Sequence, residues 1–219
     1  MNDVIRVTGM VISAMPMSEN DRRVELLTAE LGKISAFLRG GRKIGSPLLA
    51  AGRLFAFGEF ELFQGRSAYT VRSADIKEFF AFLAADPEAF CYASYFAELA
   101  AYYSRENVED LPLVRLLFYA VRSLHNTRLD RALVRYAYEL KLMQTEGEAL
   151  PEPPFASDSS AGRAWQYVLD TDADKCFQFL LEPQPFREFS QHVATLRNGL
   201  IDGRFRSLAV LEDYLSMQQ

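Results

Sequence analysis

Val4 to Ser13 reads VIRVTGMVIS and Arg53 to Phe63 reads RLFAFGEFELF; these two runs decide the fold. β-Branched and aromatic residues dominate both, and each is broken by a single glycine, Gly9 or Gly58. A glycine inside such a run marks a bulge or a barrel bend. Between them lie Arg23 to Thr28, where Val24 and Leu26 alternate with Arg23 and Glu25, and Lys33 to Leu38 behind a Leu31-Gly32 turn. Gln64-Gly65-Arg66 then turns the chain into a last run, Ser67 to Ile76. Five short strands with glycine kinks suit a small closed barrel of the OB type, which leaves no open edge.

After Phe79 the pattern becomes helical. Asp86-Pro87-Glu88 offers an N-cap, a proline for the first helical position and an acid for the positive end of the dipole. Pro112 opens a second helix, and a third is expected from about Leu129 to Gln144, ending near Gly147. Glu148 to Ser160 (EALPEPPFASDSS) has three prolines and no periodicity, so it reads as a loop. Shorter helices are expected over Arg163 to Leu169, Ala173 to Leu181, Phe186 to Arg197 and Leu208 to Leu215. The fold class is therefore α+β, β then α: a five-stranded OB barrel over residues 1–80 and an all-helical domain over 81–219, with a Pro-rich loop near 147–160.

The 219 residues are 49% hydrophobic and 24% charged, an ordinary globular balance. Formal net charge is -5, but it is uneven. Up to Phe80 there are 11 Lys and Arg against 9 Asp and Glu; beyond it there are 13 against 20. Nucleic-acid binding is thus directed to the first eighty residues. The two cysteines, Cys91 and Cys176, cannot form a disulfide framework, so a cytoplasmic location is expected. No apolar run is long enough to span a bilayer and no signal-peptide pattern is present, so no membrane partner is expected.

Catalytic constellations are missing. The two histidines, His125 and His192, sit in no nucleophile-base arrangement, and no phosphate-loop motif follows the glycines near Arg39. Glu59 and Glu61 share one face of a strand and read as a solvated outer surface. No enzyme activity, catalytic residue or cofactor is expected.

Basic residues are the lead. Arg39-Gly40-Gly41-Arg42-Lys43-Ile44-Gly45-Ser46-Pro47 puts three cations and three glycines into nine residues between two strands. Arg22, Arg23, Lys33, Arg39, Arg42, Lys43, Arg53, Arg66 and Arg72 are the expected DNA-binding set, able to track a phosphate backbone without reading sequence. Among the aromatic residues Phe37, Phe55, Phe57, Phe60, Phe63 and Tyr69, most must fill the barrel and core is the expected place for any single one; Tyr69, near the Gly65-Arg66 turn, is the candidate for an exposed stacking platform. In the helices, Arg128, Arg131 and Arg135 are spaced as one stripe, with Arg115 and Arg122 a helix earlier. That stripe suits either a solvated face or a partner-binding dock for an acidic peptide with apolar anchors.

Three segments carry a resemblance: VTGMVISAMPMSENDRRVELLTAELGKISAFLRGGRK, FGEFELFQGRSAYTVRSADIKEFF and CYASYFAEL. In this order and spacing the chain resembles the RecO family of bacterial recombination and DNA-repair proteins over most of its length. The resemblance implies an N-terminal OB fold, a helical domain, binding of single- and double-stranded DNA, and annealing of complementary strands. It implies a nucleoid-associated recombination mediator that works with a RecR-type partner to load recombinase onto DNA coated by single-strand-binding protein. The acidic C-terminal tail of that protein would be met by the helical part. Many family members carry a cysteine-ligated zinc module after the third helix. Here Glu146 to Arg163 holds no cysteine, so the zinc module is expected to be absent and no metal is expected. The rival reading is a protein-interaction scaffold whose OB barrel does not itself bind nucleic acid.

Overall fold

The computed structural model describes residues 4–65 and 68–218. Five strands, β1 (Val4–Pro16), β2 (Arg22–Thr28), β3 (Gly32–Leu38), β4 (Phe57–Gln64) and β5 (Tyr69–Glu78), form a closed barrel in the order β1-β2-β3-β5-β4. All pairings are antiparallel except β3 with β5, where Ala36 faces Tyr69 and Phe37 faces Thr70. Strand alternation sends Val7, Val11, Val24, Leu26, Ile34, Leu38, Phe60, Leu62 and Val71 into one buried core. Burial of each such side chain contributes about 1.5–3 kcal/mol, and this core holds the barrel shut.

Gly58 stands at a bulge in the β4–β5 register, as its position predicts. Gly9 does not: the β1–β2 register slips between Val11 and Ser13 instead. Gly9 is needed because a Cβ there would lie 2.4 Å from the Leu27 carbonyl oxygen. Arg53 to Ala56, expected to open the fourth strand, is a turn. Phe55 adopts φ 65°, and its N–H donates to Val11 O at 2.8 Å, so the extended run starts only at Phe57.

Among the described residues six α-helices follow: α1 (Pro87–Tyr103), α2 (Leu111–Ser123), α3 (Arg131–Thr145), α4 (Ser160–Asp170), α5 (Pro183–Leu200) and α6 (Arg206–Ser216). Asp86 caps α1 by accepting from the Ala89 N–H, and Asp110 and Asp130 cap α2 and α3 in the same way. No α-helix forms over Ala173 to Leu181, against expectation. The turn bonds there run from Lys175 N–H to Asp172 O and from Gln178 N–H to Lys175 O, and the helical pattern does not continue before Pro183.

The chain divides into two compact units, Met1–Ala81 with Ala101–Val114, and Phe82–Ala100 with Arg115–Gln219. The barrel unit takes in residues 101–114, which the expected division near residue 80 assigns to the helices. Lys33 Nζ donates to Ala101 O at 2.6 Å, Asn107 N–H to Leu31 O at 2.9 Å and Asp110 N–H to Ala29 O at 2.8 Å. These bonds stitch that segment to the β2–β3 hairpin.

Within the second unit the Pro-rich loop is held by packing. Phe155 meets Trp165 and His192 edge-on, at 6.1 and 5.8 Å between ring centroids. Ser159 caps α4, and Gly162 lets the loop pass so close that a Cβ would sit 2.2 Å from Ala156 O.

Gly32 has φ +60°, and a Cβ there would lie 2.0 Å from Arg105 O. Gly32→Ala is expected to cost about 3 kcal/mol, combining backbone strain with a backbone clash. Gly147, at φ +77° with open space around it, should cost only about 1 kcal/mol on the same change. Urea unfolding of the two variants measures the difference.

Candidate nucleic-acid interface

The start of β2 and the loop after β3 carry four cations, Arg23, Arg39, Arg42 and Lys43. In the β1–β2–β3 register Met15 faces Arg23, and Arg23 faces Phe37. Ile34, Ala36 and Leu38 are buried, so alternation leaves Lys33, Ser35 and Phe37 on the outer face of β3. Arg23 Nε donates to Ser35 Oγ at 2.7 Å, which fixes the guanidinium beside half-buried Phe37. A row of Met15, Arg23 and Phe37 therefore crosses three strands on the outside of the barrel.

The loop from Arg39 to Pro47 is built by turns and braced by its neighbour. Gly40 N–H donates to Asp21 Oδ1 at 2.8 Å and Arg42 N–H to Asn20 O at 2.9 Å. Arg42 also donates through its guanidinium to Ser18 O at 2.6 Å. These bonds pin the loop to residues 18–21, which join β1 to β2. Arg39 and Lys43 are exposed, and neither side chain has a hydrogen-bond or ion-pair partner among the described residues. Carboxylates on this surface are few: Asp21 is engaged with Gly40, and Glu19 is exposed.

The other cations of the expected set lie elsewhere or are committed. Arg22 sits at the start of β2, half-buried, and donates to Gly52 O at 2.8 Å, so it holds the turn over residues 50–52. Lys33 is bonded to the Ala101 carbonyl. Arg53 stacks over Phe79 at 5.7 Å. Arg72 stacks over Phe63 at 5.7 Å and reaches Glu61 at 3.9 Å, on the β4–β5 flank where Arg6 also pairs with Glu61. There the Ser73 hydroxyl, followed by Arg6 and Arg72, holds the Glu61 carboxyl below its usual range. Arg66 lies outside the described residues.

Tyr69 is not a platform. It opens β5 with its ring in the barrel core, and burial raises its phenol above the usual range. Phe37 is the aromatic beside the cations. The signal for it was present in the alternation of β3, which sends Phe37 outward once Ile34, Ala36 and Leu38 point in.

In the helical unit the expected stripe is split. Arg128 precedes the N-cap Asp130 and lies in the turn before α3. Arg131 is taken up by Asp86, with Oδ1 accepting at 3.0 Å, and by Glu88 at 3.2 Å. Arg135 is buried, with Nε donating to Glu139 Oε1 at 2.9 Å and its guanidinium over the rings of Tyr95 and Tyr136. Glu139 is fully buried and also accepts from the Tyr95 hydroxyl at 2.7 Å. Burial opposes the Arg135 charge, but Glu139 outweighs it and the guanidinium stays firmly protonated. Arg131 and Arg135 therefore serve the fold, which charge spacing alone could not reveal.

Arg115 and Arg122 are exposed on α2. Arg122 and Arg128 line one open groove of about 710 Å³ together with Tyr119, Phe179 and Leu180, and one carboxylate, Asp174. Leu180 is 68% exposed.

Burial pushes the Cys176 thiol up to about 12 and also raises Cys91, so neither is a ready nucleophile. Among the described residues no three His, Cys, Asp or Glu side chains gather to hold a metal ion. No helix there is long and apolar enough to cross a membrane.

A closed OB-type barrel with a cationic end, followed by helices, defines a class of nucleic-acid-handling folds. Residues 1–80 match the family described as Recombination protein O N terminal. The DNA repair protein RecO of Alkaliphilus metalliredigens is 33% identical over 179 residues, covering 80% of this chain and 72% of that protein. The RecO of Clostridium novyi is 28% identical over 144 residues, 66% of this chain and 56% of that protein. That of Acetivibrio thermocellus is 30% identical over 145 residues, 66% and 58%. The chain belongs to the RecO family. The matched stretch spans little more than half of the Clostridium and Acetivibrio relatives.

Removing Arg135 leaves Glu139 buried without its nearest cation. Arg135→Ala should destabilise the protein by about 3 kcal/mol, whereas Arg128→Ala should stay within about 0.5 kcal/mol. Urea unfolding curves of both variants check this.

Proposed function

We propose that this protein is a DNA-repair and recombination mediator that binds nucleic acid without reading its sequence. Arg23, Arg39, Arg42 and Lys43 hold phosphates at the barrel end, and Phe37 offers a surface for a base. Cations on one surface neutralise two strands at once and lower the repulsion that opposes their pairing, which is the physical basis for strand annealing. The observation that carries this reading is the exposure of Arg39 and Lys43, unpaired among the described residues, on a braced loop beside Arg23 and Phe37. Membership of the RecO family supports it. The reading extends to single- and double-stranded DNA as ligands, to a RecR-type partner, and to loading recombinase onto single strands covered by single-strand-binding protein. No bond is made or broken by the chain itself.

The groove beside Arg122 and Arg128 supports the partner side of the same reading. Two exposed guanidinium groups next to Tyr119, Phe179 and Leu180 suit an acidic tail that ends in apolar residues, such as that of single-strand-binding protein. Arg115, exposed on α2, would reinforce its field.

Fluorescence anisotropy with a labelled single-stranded oligonucleotide tests the DNA reading. Replacing Arg39, Arg42 and Lys43 by Glu should weaken binding and reduce the slope of log affinity against log salt by about 2, three fewer phosphates being neutralised. Unchanged affinity removes this loop from the interface. Failure of the native chain to bind any oligonucleotide at low salt, with partner binding intact, would favour the scaffold reading. Arg122→Glu with Arg128→Glu should abolish binding of a labelled acidic peptide and leave oligonucleotide affinity unchanged.

A further inference from the structure

Ile44 is 93% exposed, the most exposed large apolar side chain among the described residues. Its loop is not loosely built. Lys43 O accepts from Ser46 N–H at 3.0 Å, which closes a turn with Ile44 and Gly45 at its centre. Gly45 has φ +81°, the left-handed conformation that a type II turn requires at its third position. Arg42 and Gly40 tie the base of the loop to residues 18–21 through bonds of 2.6 to 2.9 Å. Four residues on, Leu48 packs against the barrel core. The fold thus buries one apolar side chain of the loop and holds another out in solvent.

An isoleucine held in water forgoes the stabilisation its burial would contribute. Here it is flanked by Arg42 and Lys43, with Arg39 at the start of the loop, and Met17 stands 55% exposed in the neighbouring connection. Cations that hold a phosphate backbone bring the base steps of that strand within reach of an apolar tip. Apolar side chains presented in this way insert between bases and unstack them. We propose that Ile44 is an apolar wedge that enters a base step when the flanking cations hold the strand, keeping bases at a duplex–single-strand junction unstacked and open to pairing. This inference rests on the DNA reading above and adds to it a base-directed contact.

A partial duplex with a single-stranded overhang and 2-aminopurine at the junction provides the test, because 2-aminopurine brightens when it is unstacked. The full chain should raise its emission on binding. Ile44→Ser should lose that rise and bind the junction about tenfold more weakly, as one apolar side chain forfeits its burial. Its salt dependence should be unchanged, and Ile44→Leu should restore the emission. Binding by the native chain with no rise, or an equal rise with Ile44→Ser, overturns the wedge and leaves the DNA reading standing. Binding to anionic lipid vesicles that depends on Ile44, with no 2-aminopurine response, likewise overturns it. Absence of oligonucleotide binding by the native chain overturns both.

Discussion

The parallel pairing of β3 with β5 is the constraint on which the rest depends. It rests on two residue pairs, Ala36 with Tyr69 and Phe37 with Thr70, and it closes a sheet that would otherwise end in two open edges. Closure makes inside and outside absolute. Alternate residues of β3 are then committed to the core, and their neighbours to the outer face. Tyr69 goes inward and Phe37 outward because of this one register. The antiparallel β2–β3 pairing separately sets the end of β3 beside the start of β2, so that Arg23 and the start of the loop from Arg39 lie at one end of the barrel.

Within that frame, carboxylates decide which cations are free. Arg131 and Arg135 lie near Asp86, Glu88, Glu139 and Glu212, and all of these pair with them. Their charge is neutralised inside the unit, and the ion pairs hold α1, α3 and α6 to their neighbours. Arg39 and Lys43 form no ion pair among the described residues, while Asp21 of the neighbouring connection accepts a backbone N–H from Gly40. A glycine backbone at Gly40 therefore does more than turn the chain. Its N–H, donated to Asp21 Oδ1, also ties the base of the loop to the connection between β1 and β2.

Much of this was legible in the residues. β-Branched alternation located the strands, Asp86-Pro87 marked the start of α1, and Gly58 marked a bulge. What escaped depends on contacts distant in sequence. Arg53 to Ala56 reads as strand, yet the bond from Phe55 N–H to Val11 O and a left-handed Phe55 make it a turn. The arginine stripe on α3 was sound as spacing. Which side of that helix faces inward was fixed by Tyr95 and Glu139, one of them 40 residues earlier in the chain. Segment 101–114 gave no sequence sign that it would bond to the β2–β3 hairpin. Phe37 is readable by strict alternation, whereas nearness to the Gly65-Arg66 turn favours Tyr69, which the barrel core takes up.

The placement of the loop after β3 also bears on why it can serve a charged polymer without a formed pocket. A cleft achieves selectivity by enclosing its ligand; a backbone of repeating phosphates needs only a few cations held at fixed separation. Braces from Asp21, Asn20 and Ser18 supply that fixity, so little conformational freedom is lost when a strand arrives. Long exposed side chains at Arg39 and Lys43 extend from that fixed backbone. A backbone fixed in this way with long charged side chains is what the proposed non-specific, salt-sensitive contact requires.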